Sequence, residues 1–361
     1  MMSVGRRYRM TIFGSSHGPE VGVTIEGVPA RTPVNVEKIQ SALDRRRPVG
    51  RRLATKRQEE DHLIVDAGIH DRAADGSPIR MHVANEDVQR GPYERLRDTP
   101  RPGHADYPAR VRYGPEADLS GGGIFSGRMT VGLVIGGAIA AQMLAVKGIE
   151  VASFTQSIGG VPAQTEEGLD VDTLRQRRDL NEVGCPDPQA AAAMEEAITK
   201  ARKEGDSLGG IVETRIFGSP VGLGEPFFDS IESAIAHLAF SVPAVKGIEF
   251  GAGFRAAGMR GSEHNDAFAW EGDRVVTRSN NAGGILGGLA NGMPIVFRAA
   301  VKPTSSIARP QQTVNLATHK TEELVVTGRH DPCIVPRAVV VLESVAASAM
   351  VDLALAGGFL A

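Results

Sequence analysis

The 361-residue chain has 40 basic and 43 acidic side chains, for a formal net charge of −3. That balance, with only 5% aromatic residues, argues against a nucleic-acid surface built on base stacking, while 42% hydrophobic content suffices for a sizeable buried core. Cys185 and Cys333 are too few for a disulfide framework or a Cys-rich zinc site and suit a reducing compartment.

The first residues, MMSVGRRYRMTIFG, contain no apolar run of signal-peptide length, so no targeting segment is expected. Short apolar runs at 9–13 and 21–25, joined by the polar GSSHGPE, predict a β-hairpin. A helix is expected over 36–46, stopping before Pro48. Short strands are expected near 63–67 and 79–83. Residues 85–119 have no clean period and many prolines, which reads as a long ordered loop of the kind that carries function.

Residues 128–146 have a small-residue helical pattern, followed by a strand from 150. Asp187-Pro188 is a helix start, with the N-cap acid followed by proline at the first helical position. That helix should run to Gly205. A strand over 211–217, a helix over 229–240, a strand over 245–250 and a last helix over 336–356 complete the pattern. The last segment is apolar, but Glu343 and Asp352 interrupt it, which suits a buried helix better than a membrane span.

Glycine accounts for 43 of 361 residues, well above the usual roughly 7%. It clusters, as in Gly121-Gly122-Gly123, with no collagen period. Such clusters mark sharp turns or close backbone approach.

Four constellations could carry chemistry. Arg45, Arg46, Arg47, Arg51, Arg52, Lys56 and Arg57 put seven cations into thirteen residues. They form either a solvated helix end favoured by the dipole or a site for a small polyanion, which the guanidinium fork suits. His17 and His104 stand in polar, glycine-containing loops, where an imidazole can exchange a proton near neutral pH. The pairs His104/Asp106 and His264/Asp266 lack further ligands at a recognisable metal spacing, so no metal is expected. Residues 302–306, KPTSS, combine a cation with hydroxyls in a plausible phosphate cradle that lacks P-loop glycines. GRHDPC at 328–333 gathers an Arg, a His and an Asp before the last helix.

Together these segments resemble the chorismate synthase family. The matching pieces, in the family's order and spanning nearly the whole chain, include FGSSHGPEVG, DRRRP, RPGHADY, KEGDSLGG, NNAGGILGGLANGMPI, KPTSSI and GRHDPCIVPRAV. The resemblance implies an α+β fold in one domain over residues 1–361, a β-α-β sandwich with helices packed between antiparallel sheets and an internal duplication. It implies elimination of phosphate from 5-enolpyruvylshikimate 3-phosphate to give chorismate, a lyase step of the shikimate pathway that needs reduced FMN.

Residue by residue, it implies catalytic roles for His17, His104 and Asp331. Flavin contacts are implied for Gly287, Lys302, Pro303, Thr304, Ser305, Ser306, Arg329, Ser126, Pro243 and Ala244. Substrate contacts are implied for Arg46, Arg52, Ser16 and Arg128. It further implies a cytoplasmic homotetramer whose flavin is reduced either by NADPH on the enzyme or by a separate flavin reductase. Two departures stand out. GSSHG replaces the family's GESHG, and SGGGIFSGR replaces RGGGRSSAR, so that Ile124 and Phe125 stand where a polar pair is usual. The second departure leaves a non-catalytic flavin-binding paralogue as the alternative. Binding of the Arg45-to-Arg57 run to duplex nucleic acid is a further one, testable by its salt dependence.

Overall fold

The structure is a computed structural model that describes residues 2–47, 53, 60–86, 95–114, 116, 118, 120–328 and 330–360. The predicted hairpin forms from the strands Arg9–Gly14 and Glu20–Glu26, with Ile12 opposite Val23. It joins the strand Ile79–Ala84 on its far side. Val21, Val23 and Ile25, with Ile79, Met81 and Val83, are all buried. That two-residue period gives the sheet one face for the core and one for solvent. Ser3–Val4 and Ile64–Ala67 complete five strands.

A second five-stranded antiparallel sheet repeats the plan. Its centre is Glu150–Ile158, Gly210–Phe217 and Ile295–Val301, flanked by Val161–Pro162 and Val245–Phe250. In each half two adjacent strands are followed by a helix, a third strand beside the second, and a longer helix. The helices are Val36–Arg46 and Thr130–Ala145 in the first half. In the second they are Ile231–Ala239 and Val335–Ala356. This is the duplication that the resemblance implies.

The four helices form the layer between the sheets. Glycine in the 130–145 helix is what permits the packing. A methyl at Gly136 would overlap the Met10 sulfur at 2.3 Å, and one at Gly137 would strike Ser344 of the last helix at 2.2 Å. The 335–356 helix is long and apolar enough to cross a membrane, as is the segment 127–145, but both are mostly buried among the other elements.

The two acids of the last helix are both engaged. Glu343 accepts from Arg45 (2.6 Å), Arg178 (2.8 Å) and the Ser153 amide (2.9 Å). Asp352 accepts the backbone N–H groups of Arg6, Arg7 and Tyr8. One hydrophobic cluster runs from Tyr8 to Leu360.

The loop expected over 85–119 is corrected in part. Asp106–Tyr113 is a helix, with Pro108 in its first turn, where no intrahelical N–H is needed. The helix Val171–Arg178 and the strand Ile295–Val301 were not predicted. The helix after Asp187 forms as expected, from Pro188 to Lys203, with the Asp187 carboxylate accepting from the amides of Gln189 and Ala190.

Candidate functional site

Two histidines meet at one glycine turn. His17 sits in the turn of the first hairpin, buried, with Nδ1 3.3 Å from the Ser16 hydroxyl. Asn85 holds that turn by donating to the carbonyls of Ser15 (3.0 Å) and Gly18 (2.8 Å). The Ser16 amide donates to the Gly123 carbonyl at 3.3 Å. Gly121, Gly122 and Gly123 all have positive φ, a run that side-chain-bearing residues do not sustain. A methyl at Gly121 would overlap the His17 ring, 1.9 Å from Cε1. One at Gly122 would lie 3.4 Å from His104 Cε1 and 3.5 Å from Nε2, beside Ser126.

His104 is held by a polar cluster. Its Nδ1 lies 2.6 Å from Asp106 Oδ1. Arg101 clamps the same carboxylate, with Nε 2.7 Å from Oδ2 and Nη2 2.8 Å from Oδ1, while its Nη1 donates to the Ser306 hydroxyl at 3.1 Å. Burial would raise the Asp106 pKa, but the hydrogen bonds from Arg101 and His104 outweigh it and hold the carboxyl well below the usual range. His330 is a neighbour of this cluster. Burial, reinforced by the Arg101 charge, lowers its pKa, and among the described residues its Nε2 has no hydrogen-bond partner.

Residues 302–306 lie against the same loop. Lys302 Nζ donates to the Gly103 carbonyl at 3.0 Å, and the Lys302 amide donates to the Ala244 carbonyl at 2.9 Å. Ala244, next to Pro243, adopts a left-handed φ of 74°. Burial and the charge of Lys246 lower the Lys302 pKa. Among the described residues no carboxylate pairs with Lys302, and the Thr304 hydroxyl is buried without a partner. A cation without a counter-ion beside a free hydroxyl suits a bound anionic group. Ser305 Cβ is 3.4 Å from where a methyl on Gly103 would lie, and Pro303 is exposed.

A third cluster surrounds Arg46. Of the two readings of the arginine run, the solvated helix end fails for this residue, whose side chain is only 2% exposed. Asp61 pairs with both Arg46 and Arg128. Arg128 also donates to Asn85 Oδ1 (2.9 Å) and to the Ala84 carbonyl (3.1 Å). Burial lowers the Arg46 pKa to about 10; Asp61 offsets part of this, while Arg337 and Arg128 add to it. Among the described residues Arg46 Nε and Nη1 are buried with no partner, which is costly for a guanidinium unless an anion fills the place. Arg337 bridges onward, donating to the Arg46 carbonyl (3.1 Å) and to Asp331 (2.5 Å).

Most of the predicted residues therefore gather in linked clusters. Gly287 does not join them. It turns a small hairpin that hydrogen-bonds to residues 222–223 and 231 instead. Arg52 and Arg329 lie outside the described residues. Asp61, Arg101 and Arg337 were not singled out by the sequence, whereas His330 stood in the GRHDPC constellation and Asp106 beside His104. Arg101 lies in RPGHADY, so its signal was adjacency to a chosen residue.

The family model for chorismate synthase matches residues 8–355. The chain belongs to the chorismate synthase family. A chorismate synthase of Korarchaeum cryptofilum is 49% identical over 348 residues, covering 96% of either chain. That of Dehalococcoides mccartyi is 46% identical, covering 99% of this chain and 98% of the relative. That of Methanosarcina mazei is also 46% identical, covering 99% and 96%. A crystal structure of chorismate synthase superposes with a TM-score of 0.76 at 28% identity, covering 98% of this chain and 93% of that one. Family membership makes the chain a lyase by class. It also agrees with the α+β sandwich seen here.

Proposed function

We propose that the chain, acting as one functional unit over its full length, converts 5-enolpyruvylshikimate 3-phosphate to chorismate. The reaction removes a proton from C6 and breaks the C3–O bond to phosphate. The observation that carries this reading is Arg46: a buried guanidinium whose two donors have no partner among the described residues, beside Arg128, in a member of this family. A substrate with one phosphate and two carboxylates supplies the anions that such a site lacks.

The residues at 302–306 suit FMN. Lys302 without a carboxylate and Thr304 with a free hydroxyl are the groups that would hold it, with Ala244, Ser305 and Ser306 alongside. When bound, reduced FMN supplies transient electron density for the elimination. His17, buried beside Ser16, is assigned proton delivery to the departing phosphate. His104 is assigned the second proton-transfer site, and Asp331, held by Arg337, acts in removal of the C6 proton. Flavin reduction, by NADPH on the enzyme or by a separate reductase, belongs to the same proposal, as do a homotetramer and a cytoplasmic location.

The deciding experiment is anaerobic turnover with dithionite-reduced FMN, following chorismate by absorbance. Chorismate formed stoichiometrically with released phosphate is the expected result. Flavin binding without turnover would instead favour the non-catalytic paralogue, a reading that the exposed Ile124 keeps in view.

A further inference from the structure

Asp106 stands between His104 and Arg101, and its two oxygens are used differently. Among the described residues Oδ2 accepts from Arg101 alone, through the backbone amide at 3.0 Å and Nε at 2.7 Å. Oδ1 accepts from Arg101 Nη2 at 2.8 Å and faces His104 Nδ1 at 2.6 Å. An ionised carboxylate only accepts, so Nδ1 must carry the proton. Arg101 Nη2 also lies 3.1 Å from Nδ1 and 3.3 Å from Nε2. A guanidinium only donates, so with Nδ1 protonated toward the closer Asp106 oxygen it can donate only to Nε2, the nitrogen that lies 3.5 Å from where a methyl on Gly122 would sit. The carboxylate is anchored in turn, because Arg101 Nη1 donates to the buried Ser306 hydroxyl at 3.1 Å.

We propose that Asp106 is a positioning residue. It fixes His104 as the Nδ1–H tautomer, so that Nε2, on the side of the Gly121–Gly122 turn, is the nitrogen that exchanges a proton in the reaction. The Arg101–Ser306 link makes that orientation depend on the 302–306 segment. This rests on the reaction proposed above, but the tautomer itself does not, and it can be observed without turnover.

The test uses the full chain labelled with imidazole-15N histidine. Long-range 1H–15N correlation spectra, assigned with His104→Gln, report which ring nitrogen is protonated. Wild type should show Nδ1–H for His104. In Asp106→Asn the carbonyl oxygen is held at the Oδ2 place by two Arg101 donors, so the amide NH2 falls opposite Nδ1. His104 should then switch to Nε2–H. In that variant kcat per folded molecule should fall by about 10²-fold or more, with KM within about threefold and a lower Tm, because Arg101 loses its buried charge partner. Asp106→Glu, which keeps the carboxylate, should keep Nδ1–H and recover part of kcat.

A wild-type His104 in the Nε2–H form overturns the proposal even if no Asp106 variant folds. So does a switched tautomer with normal kcat, or an Asp106→Asn protein whose lost activity follows its lost folded fraction with no change of tautomer. If wild type makes no chorismate while showing Nδ1–H, the proposed reaction fails and the orientation of His104 stands.

Discussion

Arg46 presents a choice between structure and recognition. A guanidinium buried to 2% exposure with two idle donors is expensive to keep for packing alone. If an anion of the substrate fills the place, Arg46→Ala should raise KM by roughly 10- to 100-fold, because a charge-assisted bond contributes about 1.5–3 kcal/mol. Arg46→Lys should recover only part, since an ammonium cannot replace the fork. Steady-state kinetics corrected for folded fraction decide this; an unchanged KM would make Arg46 a partner of Asp61 and nothing more. The sequence singled out Arg46 by charge density, and His17 and His104 by their loops. It could not single out Asp61 or Arg337, because a carboxylate and an arginine are common residues whose meaning comes from who faces them. Asp61 lies 15 positions from Arg46 and 67 from Arg128, and only the fold brings the three together.

At the scale of elements, the glycine turn 121–123 matters more than any single strand. Its backbone lies against both histidines, so its shape sets the space between them. Gly121→Ala would place a methyl at φ +61°, at a cost of about 1–2 kcal/mol, and within 1.9 Å of His17 Cε1. The expected outcome is a fall in kcat of at least about tenfold with a lower Tm. Gly127→Ala, where a methyl meets nothing within 4 Å, is the control and should leave kcat intact. Equal kinetics in the two variants would show that the turn is passive. Elements with strong caps or a clear period were legible, such as the helix behind Asp187. The 106–113 helix was not, because it has no apolar stripe and carries Pro108, which in the first turn does no harm. The strand 295–301 alternates cleanly, with Ile295, Phe297, Ala299 and Val301 buried. It follows a glycine-rich stretch that drew the reading toward loops.

At the scale of the molecule, the duplication was not legible in the residues. The halves share an order of strands and helices but not a sequence, and the resemblance alone announced it. What joins them includes a partly buried charge. Glu343, on the last helix of the second half, binds Arg45 from the first half as well as Arg178 and the Ser153 amide. Burial alone would raise its pKa. Arg45 and Arg178 outweigh that and bring it from 4.5 down to about 2. The folded state therefore holds this proton more weakly than the unfolded chain does. Its contribution is fully present above about pH 5 and is lost as pH falls through 4.5 toward 2. A shift of that size is worth about 3 kcal/mol. Asp61 and Asp106, whose pKa values are also lowered, act in the same direction. Urea unfolding at pH 7, 5 and 3 should show wild type losing stability steeply over the last interval. Glu343→Gln should start lower at pH 7, by about 3 kcal/mol at most, because Arg45 and Arg178 lose their partly buried partner. Its decline between pH 5 and 3 should then be shallower than that of wild type, since one acid-sensitive group is gone. Parallel pH curves for the two proteins would show that Glu343 titrates alike folded and unfolded, and that the tie between the halves rests on the apolar contacts of the helices instead.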